Sequence, residues 1–64
     1  MSRIVVSENV CQGQPRIAGT RITVQQIVDL FNAGVSINAI ISDDYYPDII
    51  AEDVQACIDY AKEP

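Results

Sequence analysis

The chain has 64 residues, of which 48% are hydrophobic, and a formal net charge of −5 at pH 7. This length supports one small domain, and such a domain hides only about 60% of its unfolded surface when it folds alone. Small domains commonly gain stability from disulfides, a bound metal or oligomerisation. With no histidine and only two cysteines, the composition argues against the first two. We therefore predict a homo-oligomer, either a dimer or a larger assembly.

The composition also argues against catalysis. No histidine is available as a base near neutral pH, and Cys11 and Cys57 have no imidazole to activate them. Gly13 and Gly19 are not followed by the lysine of a phosphate-binding loop. We predict that the protein is not an enzyme and needs neither cofactor nor metal. Because the sequence has no signal-peptide pattern and no apolar run of roughly 18 residues, we expect a soluble protein of the reducing cytoplasm.

Charge is distributed unevenly along the chain. Residues 1–28 contain three arginines and one glutamate, which gives +2, whereas residues 29–64 contain eight acidic residues and one lysine, which gives −7. Such asymmetry indicates two surfaces with different partners. The alternative for the C-terminal half is that its acidic residues simply keep a small domain soluble.

A β element is predicted at the start of the chain. The β-branched run at residues 3–6 is typical of an edge strand. Two β-prone pieces, residues 15–17 and 20–22, flank Ala18 and Gly19, and this pattern indicates a tight hairpin turn. We expect Gly19 to adopt a positive φ in that turn and the first strand to pair with the hairpin.

The first helix is predicted to begin at Val24 and to end before Gly34. Thr23 and Gln26 have the spacing of a capping box, and glycine is the usual residue just past a helix end. The apolar stripe of this helix consists of Val24, Ile27, Val28 and Phe31.

Two further helices are predicted after Gly34. Ser36 is expected to cap the second, which must end near Asp44 because Pro47 excludes helical geometry at the residue before it. The third begins around Ile50 or Ala51, with an acidic first turn. Its buried face consists of Val54, Cys57, Ile58 and Ala61.

The predicted fold is mainly α in a single domain. Its first two helices are joined by a tight glycine-containing turn, which is typical of a helix-turn-helix. We therefore predict a three-helix, helix-turn-helix-like core in residues 23–62, preceded by a short β-hairpin or small sheet in residues 1–22.

The basic N-terminal part contains our candidate nucleic-acid contacts, which are Arg3, Arg16, Thr20, Arg21 and Thr23. Arg16 is the better candidate, since we favour for Arg21 an architectural ion pair with an acid such as Asp29 or Asp53. Three arginines cannot neutralise the roughly six to ten phosphates that tight binders contact. Any binding to operator DNA is therefore expected to be weak and to depend on oligomerisation.

An acidic and aromatic stretch contains our candidate interface with a partner or a second copy, formed by Asp43, Asp44, Tyr45 and Ile50. Tyrosine is enriched at interfaces because it offers a large contact area with a polar tip. Such a stretch suits a basic active site of a toxin. We expect Tyr46 and Ile49 to complete the core instead.

The order of these residues resembles domain-of-unknown-function family 433. The resemblance rests on a block with the sequence Gly-x-Pro-x-Ile-x-Gly-Thr-Arg-Ile and on a later Tyr-Pro, followed by Glu-Asp-Val. Its structural positions are Gly13, Pro15, Gly19, Gly34, Tyr46 and Pro47. One departure is visible, because the third helix of the family usually starts with Leu-Thr and here the pair is Ile49-Ile50. The cap is then missing unless Asp48 replaces it, and an exposed Ile50 would contact a partner chain.

The resemblance implies a helix-turn-helix, homeodomain-like core behind a β element in a small bacterial or archaeal protein. Members are often encoded beside a PIN-like ribonuclease, so they are similar to the antitoxins of toxin–antitoxin pairs. We therefore expect a non-catalytic protein that neutralises a PIN-like nuclease and binds operator DNA weakly as an oligomer. The alternatives are a protein-interaction module with no nucleic-acid role and a stand-alone small transcription regulator.

Overall fold

A computed structural model of the protein describes residues 3–9 and 11–62, and the backbone alone at Cys11. Two short strands precede three helices, as the sequence predicts. The elements are β1 (Ile4–Val5), a short 3₁₀ turn (Cys11–Gly13), β2 (Arg16–Ile17), α1 (Val24–Asn32), α2 (Ile37–Ile40) and α3 (Ala51–Lys62). The mainly α fold with a small N-terminal sheet is confirmed.

The sheet pairs β1 with β2 in antiparallel register, with Ile4 opposite Ile17 and Val5 opposite Arg16. The predicted second arm of the hairpin, residues 20–22, is not a strand. The chain does reverse there, because the Ile17 N–H donates to the Ile22 carbonyl at 2.9 Å. Strand β2 thus has β1 on one side and the returning loop on the other.

Gly19 occupies the position of the reversal that requires a positive φ. Its φ is +79°, and the turn closes through the Thr20 N–H, which donates to the Ile17 carbonyl at 3.0 Å. This is the third position of a turn in which only glycine or asparagine is comfortable. A Cβ would meet no neighbour within 4 Å, so the constraint on this residue lies in the backbone conformation.

Helix α1 begins with the predicted capping box. The Gln26 N–H donates to the Thr23 hydroxyl at 3.1 Å, and the Thr23 N–H donates to the Gln26 side-chain oxygen at 2.8 Å. Both bonds satisfy N–H groups that the helix itself leaves without partners. The start of α1 is therefore fixed by residues within one turn of it.

The end of α1 is a Schellman motif. Gly34 has a φ of +94°, its N–H donates to the Phe31 carbonyl, and the Val35 N–H donates to the Leu30 carbonyl, both at 3.1 Å. Val35 and Leu30 also pack against the core. The predicted helix stop at Gly34 is confirmed.

The second helix is shorter than predicted. Ser36 caps it as expected, accepting from the Ala39 N–H at 3.2 Å, but α2 ends at Ile40 and not near Asp44. The Ser42 hydroxyl donates to the Ala39 carbonyl, and the Tyr46 N–H donates to the Ile40 carbonyl at 2.9 Å. These bonds occupy carbonyls that a longer helix would use.

Helix α3 begins at Ala51, where the sequence placed it, and its cap comes from inside the helix. The Asp53 carboxylate accepts from the Ile50 N–H at 3.1 Å, so Asp53, and not Asp48, caps the start of this helix. Asp53 stands at the third helical position, where an acidic group also favours the positive end of the helix dipole.

The core lies where α3 packs against α1, α2 and β1. Its buried members are Ile4, Ile17, Val24, Ile27, Ile40, Ile49, Val54, Cys57 and Ile58. The prediction that Ala61 belongs to the buried face of α3 is wrong, because Ala61 is exposed. Tyr46 is half-buried and packs against this cluster, and Ile49 is buried within it, as predicted for these two residues.

Candidate binding surfaces

Arg16, the preferred nucleic-acid candidate, directs its guanidinium into the protein. Its Nη1 donates to the Thr20 carbonyl at 3.0 Å, and its Nη2 donates to the Ser7 hydroxyl at 3.2 Å. The Nε atom is buried, and it has no hydrogen-bond partner within the part of the chain that the structure describes. Bonds to a charged donor are stronger than neutral ones. Arg16 therefore fastens the loop after β2 to the segment after β1.

The hydroxyls of the two candidate threonines are used within the chain. Thr20 donates to the Ile17 carbonyl at 2.8 Å and accepts from the Ile22 N–H at 3.1 Å. Thr23 is the cap of α1. Both side chains hold the loop in shape, which gives them an architectural role beside any contact with a ligand.

The other two candidate arginines are Arg3, which forms an ion pair, and Arg21, which lies on the surface. Arg3 forms an ion pair with Asp53, with 3.0 Å between its Nη1 and the Oδ1 oxygen, while the other oxygen of Asp53 accepts from the Ile50 N–H. This pair joins the N-terminal segment to the start of α3, fifty residues away. Arg21 is exposed on the loop.

The helices offer little that suits a DNA groove. After the tight turn that follows α1, the second helix of the helix-turn-helix has only four residues, Ile37–Ile40. The long helix α3 carries Glu52, Asp53 and Asp59 against Lys62. A helix that enters a groove lies close to phosphates, and these acidic side chains would oppose it.

Residues 43–50 form what we call the acidic–aromatic segment. Tyr45 and Ile50 are 42% and 47% exposed, and Asp43, Asp44 and Asp48 are exposed beside them. The four residues predicted as an interface therefore share one stretch of surface. Residues 43–50 contain no arginine or lysine.

The backbone of the acidic–aromatic segment is held by short-range hydrogen bonds. The Tyr45 N–H donates to the Ser42 carbonyl at 3.0 Å, and the Ile49 N–H donates to the Tyr46 carbonyl at 3.4 Å. Ile49 is buried and anchors the segment to the core. The exposed side chains are thus presented on a backbone that is already ordered, which lowers the entropy lost on binding.

Two exposed aromatic residues escaped the sequence prediction. Phe31 falls on the apolar stripe of α1 but is 42% exposed, and Tyr60 on α3 is 43% exposed. The stripe pattern identifies which face turns inward but not how far the neighbouring helix covers it.

Cys57 is chemically quiet. Its side chain is buried, and burial together with the Asp53 carboxylate raises the pKa of the thiol to about 11. Since the thiolate is the reactive form, Cys57 stays inert near neutral pH. Within residues 3–9 and 11–62, no group of three metal-ligating side chains is arranged to hold an ion.

A family model matches residues 4–61, and the family is described as Protein of unknown function (DUF433). The chain belongs to this family. The match covers both strands and all but the last residue of α3, so the family pattern describes the whole fold. No curated protein matches the chain, and no solved structure matches it. None of the helices in the described part of the chain is long and apolar enough to cross a membrane.

Proposed function

We propose that this DUF433 protein is a non-catalytic, antitoxin-like binding protein of the cytoplasm that neutralises a PIN-like nuclease through its acidic–aromatic segment. The observation that carries the proposal is the exposure of Tyr45 and Ile50 among three aspartates on an ordered backbone. Large apolar side chains surrounded by charge are typical of a protein interface.

The chemistry of the segment defines the partner surface. An apolar pocket would receive Tyr45 or Ile50, and basic side chains around it would face Asp43, Asp44 and Asp48. Complementary charge increases the association rate and disfavours wrong partners, while the apolar anchors supply most of the affinity. The nuclease class comes from the resemblance, because members of the family are often encoded beside PIN-like ribonucleases.

The internal contacts of Arg16 and Arg3 favour the alternative in which the protein has no nucleic-acid role. With Arg16 bonded to Thr20 and Ser7, and Arg3 paired with Asp53, few cations remain for phosphates. The other case is operator binding that is weak, salt-sensitive and secondary to the protein–protein function. A gel shift of the operon's own promoter fragment at two salt concentrations separates the two cases.

The experiment is co-expression with the neighbouring PIN-like reading frame, followed by co-purification and a ribonuclease assay. We expect a complex with suppressed nuclease activity. Tyr45→Ser and Ile50→Ser should each weaken binding about 10- to 100-fold, the range for an interface anchor. Val6→Ser is the matched control, because Val6 is 58% exposed but lies outside the segment. No complex, or equal losses for all three variants, would contradict the proposal.

A further inference from the structure

A second apolar surface lies where α1 meets the C-terminal end of α3. Two shallow grooves lie end to end along α1 and meet at Ala61, and we call this surface the α1–α3 face. The first groove is lined by Val28, Phe31, Asn32, Ile58, Ala61 and Lys62. The second is lined by Gln14, Pro15, Val24, Gln25, Tyr60 and Ala61.

Among residues 3–9 and 11–62, no carboxylate lines the α1–α3 face, in a chain that carries nine acidic and four basic residues. The one charged side chain among its described lining residues is that of Lys62, and its exposed apolar side chains are Phe31 and Tyr60. Depletion of charge with enrichment of aromatic residues marks the centre of interfaces between identical subunits.

We propose that the α1–α3 face is the surface through which two copies of this chain associate. The two copies pack α1 and α3 against α1 and α3 around a two-fold axis near Ala61. A dimer of this kind is isologous, so each contact occurs twice. The assignment is independent of the nuclease-binding function and places self-association away from the acidic–aromatic segment.

The small size of the molecule and the position of its acidic side chains together limit which face can self-associate. The protein measures only 29 by 26 by 21 Å, whereas each partner in a standard interface contributes about 800 Å². A dimer contact must therefore occupy most of one face. A face centred on the acidic–aromatic segment would bring Asp43, Asp44 and Asp48 of the two copies together, and like charges across an interface oppose association.

Charge at the rim of the α1–α3 face favours a second copy as the occupant. Asp29 lies one helical turn from both Gln25 and Asn32, which line the two grooves, and is exposed. Lys62 lies in the first groove. In a two-fold arrangement, Lys62 of each copy faces Asp29 of the other copy. The dimer then contains two such contacts between opposite charges.

The first test measures mass by sedimentation equilibrium over a concentration series. We expect a dimer for the wild type, and a dissociation constant raised about 30-fold or more for Phe31→Glu or Tyr60→Glu, since each buries an unpaired charge. Tyr45→Glu is the matched control and should leave the dimer intact. A monomeric wild type overturns the proposal, and so does a dimer that is broken by Tyr45→Glu but not by Phe31→Glu.

A second measurement keeps the proposal testable if a glutamate variant fails to fold. In a Cys11→Ser background, where Cys57 is buried, Ala61→Cys is treated with a short bifunctional maleimide. We expect a covalent dimer from Ala61→Cys and none from Ile50→Cys, which lies about 16 Å away along the axis of α3. Cross-linking of Ile50→Cys alone would overturn the assignment. Nuclease binding is unaffected by these outcomes, so the proposed function is tested separately.

Discussion

The N-terminal part of the molecule, residues 3–23, and the helical part, residues 24–62, are held together by different forces. Among the buried residues that the structure describes, which leave out Val10 and the side chain of Cys11, Ile4 and Ile17 come from the N-terminal part and seven come from the helical part. The N-terminal part relies on polar bonds made by Arg16, Thr20 and Arg3. A short segment with two apolar anchors can keep a defined shape when its polar groups satisfy one another.

This difference changes the interpretation of the basic and hydroxyl side chains in the N-terminal part. A cluster of arginines and hydroxyls before a helix suggests phosphate recognition, but the same side chains are what a small β element needs in order to close. The helical part contributes most of the described buried apolar side chains. It also leaves Tyr45, Ile50, Phe31 and Tyr60 exposed, and these side chains are available to partners.

Arg16→Met is the change that should break the N-terminal part most strongly. Methionine keeps an apolar stem but loses the bonds to the Thr20 carbonyl and the Ser7 hydroxyl. We expect a loss of about 3 kcal/mol in the free energy of unfolding, since hydrogen bonds to a charged group contribute roughly 1.5–3 kcal/mol each and are not additive. Urea unfolding followed by circular dichroism measures it.

Ser7→Ala is the graded control for Arg16→Met. It removes one of the two bonds and should lower stability by about 1 kcal/mol. Contrary evidence would be an Arg16→Met protein with unchanged stability and weakened binding to nucleic acid, because Arg16 would then act in recognition and not in architecture.

The helical part should show its own pH dependence through Cys57. Burial, and then the Asp53 carboxylate, raise the pKa of this thiol from 9.0 to about 11. Between these values the unfolded chain releases the proton and the folded chain keeps it, so stability falls as pH rises. The loss reaches about 2 kcal/mol at pH 11 and is absent well below pH 9.

Cys57→Ala isolates that effect. The variant leaves a small cavity and is less stable at every pH, but its stability should fall less steeply between pH 9 and 11 than that of the wild type. Other groups that titrate in this window are present in both proteins and cancel in the comparison. Parallel curves for the two proteins would exclude the thiol as the cause.

Asp53→Asn should have the smallest effect of the three, although it touches both parts of the molecule. It weakens the ion pair with Arg3 and the cap at Ile50. We expect a loss of about 1 kcal/mol, because Arg3 is 47% exposed and exposed pairs contribute little. Asp48→Asn serves as the comparison and should change thermal stability little. Equal effects of the two variants would show that the cap of α3 lies elsewhere.

Features set by neighbouring residues were predictable from the sequence. The capping box of Thr23 and Gln26, the cap at Ser36 and the stop at Gly34 each depend on atoms within a few positions, and all three are present. The start of α3 at Ala51 was also predicted. Such signals are reliable because their hydrogen bonds form within a single turn.

Features set by distant residues were not predictable. The pairing of Arg3 with Asp53 crosses fifty positions, and nothing in the local pattern selects it among the available carboxylates. The early end of α2 involves a closer contact, the hydrogen bond from the Tyr46 N–H to the Ile40 carbonyl, but this bond follows no capping pattern that the sequence displays. The exposure of Phe31 depends on how α3 crosses α1. The candidate surfaces were therefore recognisable by composition, while the roles of their side chains required the fold.

The pairing of Arg3 with Asp53 also has a consequence for synthesis of the chain. Strand β1 leaves the ribosome before α3, and the carboxylate that binds Arg3 is made fifty residues after that arginine. The first helix and its glycine stop can form locally in the meantime, within microseconds. Strand β1 can therefore be made before the helices and still complete its contacts only after α3 has emerged.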